Sequence, residues 1–391
     1  MLSRRSFVAT AASATAVLGA NDRIRVAIVG TGGRGSYLMR ELSAVKNVTV
    51  TAVCDVYNAN RERAAASVNK TWGAQPFETA DYRQVLARND VDAVLIATPD
   101  FSHPYILKAA MEAGKDAYCE KPMAVEIGPA REAYRAVKGG KQVVQIGTQR
   151  RSDPHYIAAS KLVQSGAIGQ ITRIDISVNF QEPRWRRDYS QIKEDQVAWD
   201  LFRMNRPKKA FDARGFREWQ LFRDYTNGIA GLWMCHFIDT IHWFMADPYP
   251  AGAVANGGVY LWKDGRETSD VFHALLDYPK GFLVSFAMSL TSEAGNRNLW
   301  VGTKGTLDAD TWILSGKGSR RPDRIESETK IQPEHGITSH MQNFIDSVRS
   351  RQKPRADIDA GFSHAVACCM AATALETGRK VKFDREKLAI V

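Results

Sequence analysis

Several scarcities narrow what this chain can be. No apolar run among its 391 residues reaches the roughly 18 to 20 positions of a membrane span, so no transmembrane anchor is expected. Only 14 prolines, without a periodic glycine pattern, exclude a collagen-like fibre, and a 44% apolar fraction is too high for disorder. Five cysteines, an odd number, do not suggest a disulfide framework. Cys54 and Cys119 fall in apolar strand-like runs and Cys368-Cys369 in a helical pattern, so buried thiols are expected; Cys235 stands out because a candidate catalytic histidine follows it. The length exceeds one ordinary domain, and two are expected.

The first twenty residues do not read as fold. Ser3-Arg4-Arg5-Ser6-Phe7 precedes a mildly apolar, alanine-rich stretch without an acidic residue, the pattern of a twin-arginine export signal over residues 1–20. Ala14-Thr15-Ala16 fits a cleavage site, and the expected address is the periplasm. That route carries proteins already folded, often around a cofactor loaded beforehand. The net charge of +10 falls by two once Arg4 and Arg5 are removed. Much of the rest is local: between Pro183 and Arg223 eleven Lys/Arg face six Asp/Glu, interleaved with Trp185, Trp199 and Trp219. Such a mixture can bind nucleic acid, but a periplasmic address argues against it. A solvated loop face or the rim of a saccharide pocket remains, the latter using Trp185 and Trp219 faces for stacking.

From Arg25 short β-branched runs alternate with helical segments. Strands are expected at 25–30, 48–56, 93–98, 116–120 and 142–148, with helices over 35–44, 103–113 and 128–138. This order predicts a doubly wound parallel sheet over residues 22–150. Over 151–391 a helix at 154–164 gives way to strands at 170–180, 254–260, 271–278, 282–290 and 299–301, predicting an open, mostly antiparallel sheet. Two closing helices follow, around Met341–Val348 and Phe362–Leu375, packing back on the first domain. The fold class is therefore α/β followed by α+β.

Gly30-Thr31-Gly32-Gly33-Arg34-Gly35 matches G-x-G-x-x-G between a strand and a helix, the context of a Rossmann dinucleotide site. Gly30 permits the tight turn, Gly32 lets pyrophosphate approach, and Gly35 lets helix and strand pack closely. Asp55, twenty residues after Gly35, is placed to accept from the adenosine ribose hydroxyls and to favour NAD over NADP, with Arg34 and Arg61 able to soften that preference. Thr98-Pro99-Asp100-Phe101-Ser102-His103 and Glu120-Lys121-Pro122 sit at the carboxyl ends of adjacent parallel strands, where open α/β sheets bind ligands. A lysine there can act as general acid or base on a reacting hydroxyl.

The Gly30–Gly35 loop, Ala97-Thr98-Pro99 with His103, Cys119-Glu120-Lys121-Pro122, Gly147-Thr148-Gln149-Arg150 and Gly302-Thr303-Lys304-Gly305-Thr306 together resemble the Gfo/Idh/MocA oxidoreductase family over roughly residues 22 to 380. The resemblance implies a Rossmann domain, an open-faced sheet used for homo-oligomer contacts, and hydride transfer between a nicotinamide and a sugar or polyol carbon. It implies cofactor contacts from Gly30, Gly32, Gly33, Arg34, Gly35, Asp55, Thr98, Pro99, His103, Glu120, Lys121 and Gln149, with Lys121 near the reacting hydroxyl.

A second element runs from Gly228 through His236 to Asp239. His236 and Asp239 can share a helix face, letting the carboxylate orient the imidazole. His242 extends this to H-x-x-D-x-x-H, but six positions turn it about 120° away, so no metal site is expected. Many family members carry an aspartate four residues before this histidine, where this chain has Leu232. Proton handling is then expected to rest on Lys121, His236 and Tyr225, with Arg150 a weaker candidate for substrate contact. An exported nicotinamide enzyme must regenerate its cofactor within the site, so a redox-neutral cycle on a carbohydrate is expected. Two alternatives stay open: redox-assisted glycoside hydrolysis or elimination, and a non-catalytic sugar-binding protein that retains NAD.

Overall fold

A computed structural model describes residues 23–391, so the export signal expected over residues 1–20 lies outside the described residues. The first domain winds β1 (Ile24–Val29), α1 (Gly33–Ser43), β2 (Val48–Cys54), α2 (Asn58–Trp72), β3 (Phe77–Thr79), α3 (Tyr82–Leu86), β4 (Ala93–Ile96), α4 (His103–Glu112), β5 (Asp116–Cys119), α5 (Ile127–Gly139) and β6 (Val144–Ile146). The six strands are parallel in the order β3-β2-β1-β4-β5-β6. Ala93-Val94-Leu95-Ile96 is buried at every position, as a strand covered by helices on both faces must be. The order reverses between β1 and β4, which opens a crevice at their carboxyl ends. Sequence patterning did not anticipate α2 or β3. The buried stripe of α2 is Asn60, Ala64, Ala65 and Val68, too small to mark a period, and β3 is an edge strand of three residues.

The second domain opens with α6 (Pro154–Gln164), capped by the Asp153 carboxylate, and β7 (Ile171–Asn179). Residues 180–228 form an irregular strap whose longest regular pieces are α7 (Trp199–Arg203) and α8 (Ala213–Arg217), each five residues. A π-helical turn, Ala230–Met234, leads into α9 (Cys235–Met245). Then come β8 (Gly252–Gly258), β9 (Val271–Tyr278), β10 (Phe282–Ser289), β11 (Arg297–Gly302), β12 (Thr306–Asp308), β13 (Ile313–Ser315) and β14 (Thr329–Lys330). The chain ends through α10 (His340–Ser350), α11 (Ile358–Thr377), β15 (Val381–Asp384) and β16 (Ala389–Ile390). The ten-stranded sheet, ordered β14-β13-β12-β11-β7-β10-β9-β8-β15-β16, is antiparallel except where β7 meets β10. Burial alternates strictly along β10, with Phe282, Val284, Phe286 and Met288 turned inward, so one face builds the core and the other stays open.

Both closing helices return to the first domain. Met341, Phe344, Ile345 and Val348 of α10 join the cluster of Val26, Ile28 and Leu42. Helix α11 departs from the expectation of no membrane-length apolar stretch, because its 20 residues are long and apolar enough to cross one. In the fold it is a core helix packed against α5, α9 and β8, and 78% of its most apolar window is buried. All five cysteines are free and buried.

Candidate active site

The cleft lies between the carboxyl ends of the parallel strands and the strap, enclosing about 840 Å³. Its floor is the glycine loop. Gly30 has φ +86°, and a Cβ there would lie 2.7 Å from the Ala97 carbonyl; a Cβ on Gly35 would meet the Gly30 oxygen at 1.9 Å. Gly35 thus acts in helix–strand packing rather than at the cavity surface. Gly32 and Gly33 line the cavity beside open space, and no side chain caps the start of α1. Asp55 also lines the cleft, but its carboxylate is largely engaged in holding the loop. Oδ2 accepts from Thr31 N (2.7 Å), Thr31 Oγ1 (3.1 Å) and Asn60 Nδ2 (3.3 Å), and Oδ1 from Tyr57 N (2.9 Å). Only spare lone pairs on Oδ1 are left for a ribose hydroxyl. Arg61 donates to the Asp55 carbonyl (3.0 Å) and Asn58 Oδ1 (2.9 Å).

Strand β5 delivers Glu120 and Lys121. Glu120 is buried, paired with Arg34 Nε at 2.6 Å, and accepts from the Lys121 amide at 3.1 Å. Arg34 also donates to Gln149 Oε1 at 3.1 Å, so it ties the glycine loop to the ends of β5 and β6. His103 is buried with Nδ1 2.8 Å from the Pro122 carbonyl and Nε2 2.8 Å from that of Thr98, bracing the ends of β4 and β5. Burial is the largest influence on its pKa and lowers it. Thr98 and Pro99 line the cavity beside it.

Lys121 reaches across the cleft and donates from Nζ to the Leu232 carbonyl at 3.1 Å. That carbonyl belongs to the π-helical turn, where the wider hydrogen-bond register leaves backbone oxygens free for outside donors. Leu232 and His236 share the cleft wall with Lys121. Burial, then the charges of Lys121 and Arg150, hold His236 well below the ordinary imidazole range, so its ring is neutral.

Besides Gly35, three expected site residues lie elsewhere. Asp239 does not orient His236: it is buried outside the cavity, bonded through both carboxylate oxygens to Arg151 Nε at 2.9 and 3.0 Å. Tyr225 also lies outside the cavity, packed 5.3 Å from Phe101 and 5.2 Å from Phe202, and burial pushes its hydroxyl up to about 12. Arg150 sits over the Phe237 ring at 4.2 Å and donates to the His236 carbonyl at 3.3 Å, which makes it a brace behind the site. His242 bonds Tyr278 at 2.8 Å, away from both His236 and Asp239, and no cluster of metal-binding side chains forms among the described residues. The Cys235 thiol is buried and pushed up to about 12, ill suited to reaction.

Trp185 and Trp219 do line the cavity, joined by Trp233 from the Gly228–Asp239 element. Asp100 is the more consequential omission. It is 3% exposed, lines the cleft, and accepts from Thr226 Oγ1 at 2.8 Å. Burial raises its carboxyl to about 7, against the opposing pull of the Lys121 charge. Its signal was present in Thr98-Pro99-Asp100, but only the tertiary placement of Thr226 and the π-turn shows that it is enclosed.

With this geometry in place, comparison with known proteins is decisive on kinship. Residues 24–148 match the model of the oxidoreductase family with an NAD-binding Rossmann fold, and residues 156–308 match the Gfo/Idh/MocA C-terminal domain. The chain belongs to the Gfo/Idh/MocA oxidoreductase family. Among curated members of the family, the uncharacterized oxidoreductase YrbE of Bacillus subtilis is 30% identical over 161 residues, covering 41% of this chain and 46% of YrbE. The inositol 2-dehydrogenase of Salmonella typhimurium is 36% identical over 149 residues, 38% of this chain and 43% of that enzyme. The chain thus spans less than half the length of these curated relatives. The structure of aldose-aldose oxidoreductase from Caulobacter crescentus superposes with a TM-score of 0.70 at 17% identity, covering 92% of this chain and all of that one. That of myo-inositol 2-dehydrogenase from Lactobacillus plantarum does so with 0.68 at 20% identity, covering 93% and 100%. At such identities the structures establish the Gfo/Idh/MocA fold alone.

Proposed function

We propose that the protein is an NAD-dependent oxidoreductase acting on a sugar or polyol hydroxyl, and that Lys121 handles the hydroxyl proton. The observation that carries this reading is the position of Lys121 Nζ, in one cleft with the glycine loop, His236 and Asp100. The cleft suits a dinucleotide. Uncapped amides open α1, Gly32 and Gly33 leave the approach clear, and Asp55 retains acceptor capacity on Oδ1. NAD, when bound, supplies the hydride acceptor and donor. Asp55 at the ribose end favours it over NADP.

The remaining chemistry belongs to the chain's own side chains. Lys121 Nζ, fixed by the Leu232 carbonyl, can exchange a proton with a substrate hydroxyl seated beside it. Neutral His236 can accept a hydrogen bond or a proton from the same group. Asp100, with a carboxyl at about 7, supplies the second acid–base group that Leu232 cannot. Expected kinship with sugar chemistry is supported by the inositol 2-dehydrogenase relatives.

The twin-arginine pattern at Ser3–Phe7 supports export to the periplasm with cofactor already bound, and hence a redox-neutral cycle. Exposed Val254, Leu275, Tyr260 and Leu261 support a homo-oligomer through the open sheet face. A second reading, redox-assisted glycoside cleavage, is favoured by Leu232 and the neutral His236, since a ketone acidifies its neighbouring C–H enough for a modest base. Release of free aglycone without net NADH distinguishes it. The test of the main reading is Lys121→Met: hydride transfer should fall about 10²- to 10⁴-fold while NAD affinity stays within a few-fold. Full activity in that variant would contradict the role of Lys121.

A further inference from the structure

The strap places an arginine cluster on the cleft wall that the hydride chemistry above does not use. Arg184, Arg187 and Arg217 all line the cavity. Arg184 pairs through Nε with Glu182 at 2.5 Å and lies 4.8 Å over the Trp233 ring, whose neighbour is His236. Its Nη1 is buried without a hydrogen-bond partner, and so is Nε of Arg217. Glu218 could neutralise this region, but its carboxylate is taken by Arg214 Nε at 2.9 Å and by the Arg187 backbone amide at 2.7 Å. Among the described residues neither the Arg187 nor the Arg217 guanidinium has a carboxylate within 4.0 Å. Burial, then the adjacent Arg217 charge, pull Arg187 below the usual guanidinium range against the opposing charge of Glu218.

Two neighbouring cations with no carboxylate in ion-pair contact, and two buried donors without an acceptor, are costly unless something fills the space between them. The backbone reinforces the point. Trp185 sits at φ +69°, a left-handed conformation that a bulky residue adopts only under constraint, and it turns the chain so that Arg184, Trp185 and Arg187 all line the cleft. Planar guanidiniums match carboxylate and phosphate oxygens in paired hydrogen bonds, and an indole face suits a pyranose ring.

Resting on the oxidoreductase reading, we propose that Arg184, Arg187 and Arg217 form an anion subsite and that the substrate is a sugar bearing a carboxylate or phosphate group, its ring against Trp185. The test is calorimetric binding of D-glucuronate, D-glucose 6-phosphate and D-glucose to the full mature protein, with bound NAD quantified, for wild type, Arg217→Gln and Arg217→Lys. At least one anionic sugar should bind about tenfold or more tighter than glucose. That preference should fall about ten- to hundredfold in Arg217→Gln and return in part in Arg217→Lys. Preference for glucuronate identifies the anion as a carboxylate, and preference for glucose 6-phosphate identifies it as a phosphate. Equal binding of neutral and anionic sugars overturns the proposal. So does an Arg217→Gln protein that keeps the preference but loses NAD, which would assign the guanidinium to the cofactor. Binding requires no turnover: selective anion binding by a protein that carries no NAD and takes none up would sink the oxidoreductase reading and leave the subsite standing.

Discussion

The two walls of the cleft are built by opposite means. The Rossmann wall is regular: glycines, Asp55 and Lys121 occupy the ends of parallel strands, each within a few residues of the element that aims it. The strap wall has almost no secondary structure of its own and is held by distant contacts. Tyr57 bridges Val197, Ala198 N donates to the Val56 carbonyl at 2.8 Å, and Arg206 pairs with Glu126. Phe202 and Phe216 pack with Phe101, Tyr225 and Tyr57 in a separate aromatic cluster. A strand-end wall positions chemistry that tolerates little change, whereas a strap can carry the groups that choose a substrate. Fastened to the Rossmann domain in this way, the strap forms the second wall of the cleft.

Breaking the regular wall should have the largest effect. Gly35→Val drives a Cβ into the Gly30 oxygen, which it would meet at 1.9 Å, so NAD binding should be lost, with roughly 1–3 kcal/mol of stability. Retained NAD affinity by titration would show that the loop does not form the floor. Next is the brace behind the site. Asp239→Asn breaks the buried pair with Arg151 and should cost about 3 kcal/mol or more in chemical denaturation, while hydride transfer per folded molecule is preserved. A catalytic loss without destabilisation would restore Asp239 to the site.

An effect confined to one pH window sharpens the contrast within the cleft. The Asp100 carboxyl is raised from 3.8 to about 7 in the folded protein, so its stabilising contribution is complete below about pH 4 and is lost as pH rises through 7. Wild type should therefore lose stability across that window relative to Asp100→Asn, on the order of a few kcal/mol. Parallel pH profiles of the two proteins would show that Asp100 is ordinarily ionised.

What was legible in the sequence follows the same division. Gly30, Asp55 and Lys121 were readable because Rossmann chemistry puts fixed residue types at fixed distances from strand ends. The paired strands expected at 271–278 and 282–290 form as β9 and β10, antiparallel and in register from Tyr278 opposite Phe282. Asp239 was misplaced because helical spacing says which residues share a face but not which distant side chain meets them, and Arg151 claimed it; Tyr225 was named for its hydroxyl alone, and nothing local shows that Phe101 and Phe202 pack around it. The π-turn at Ala230–Met234 shifts the helical register ahead of His236, and no propensity marks it. Asp100 was visible as a residue, but its enclosure depends on Thr226, 126 positions away.

We propose that both walls close around a dinucleotide which stays with the protein and is recycled there. This is tested most directly by denaturing protein purified from its own compartment and quantifying the nucleotide released per chain. Near-stoichiometric NAD(H) is expected. A protein that emerges empty and binds NAD only weakly would contradict it.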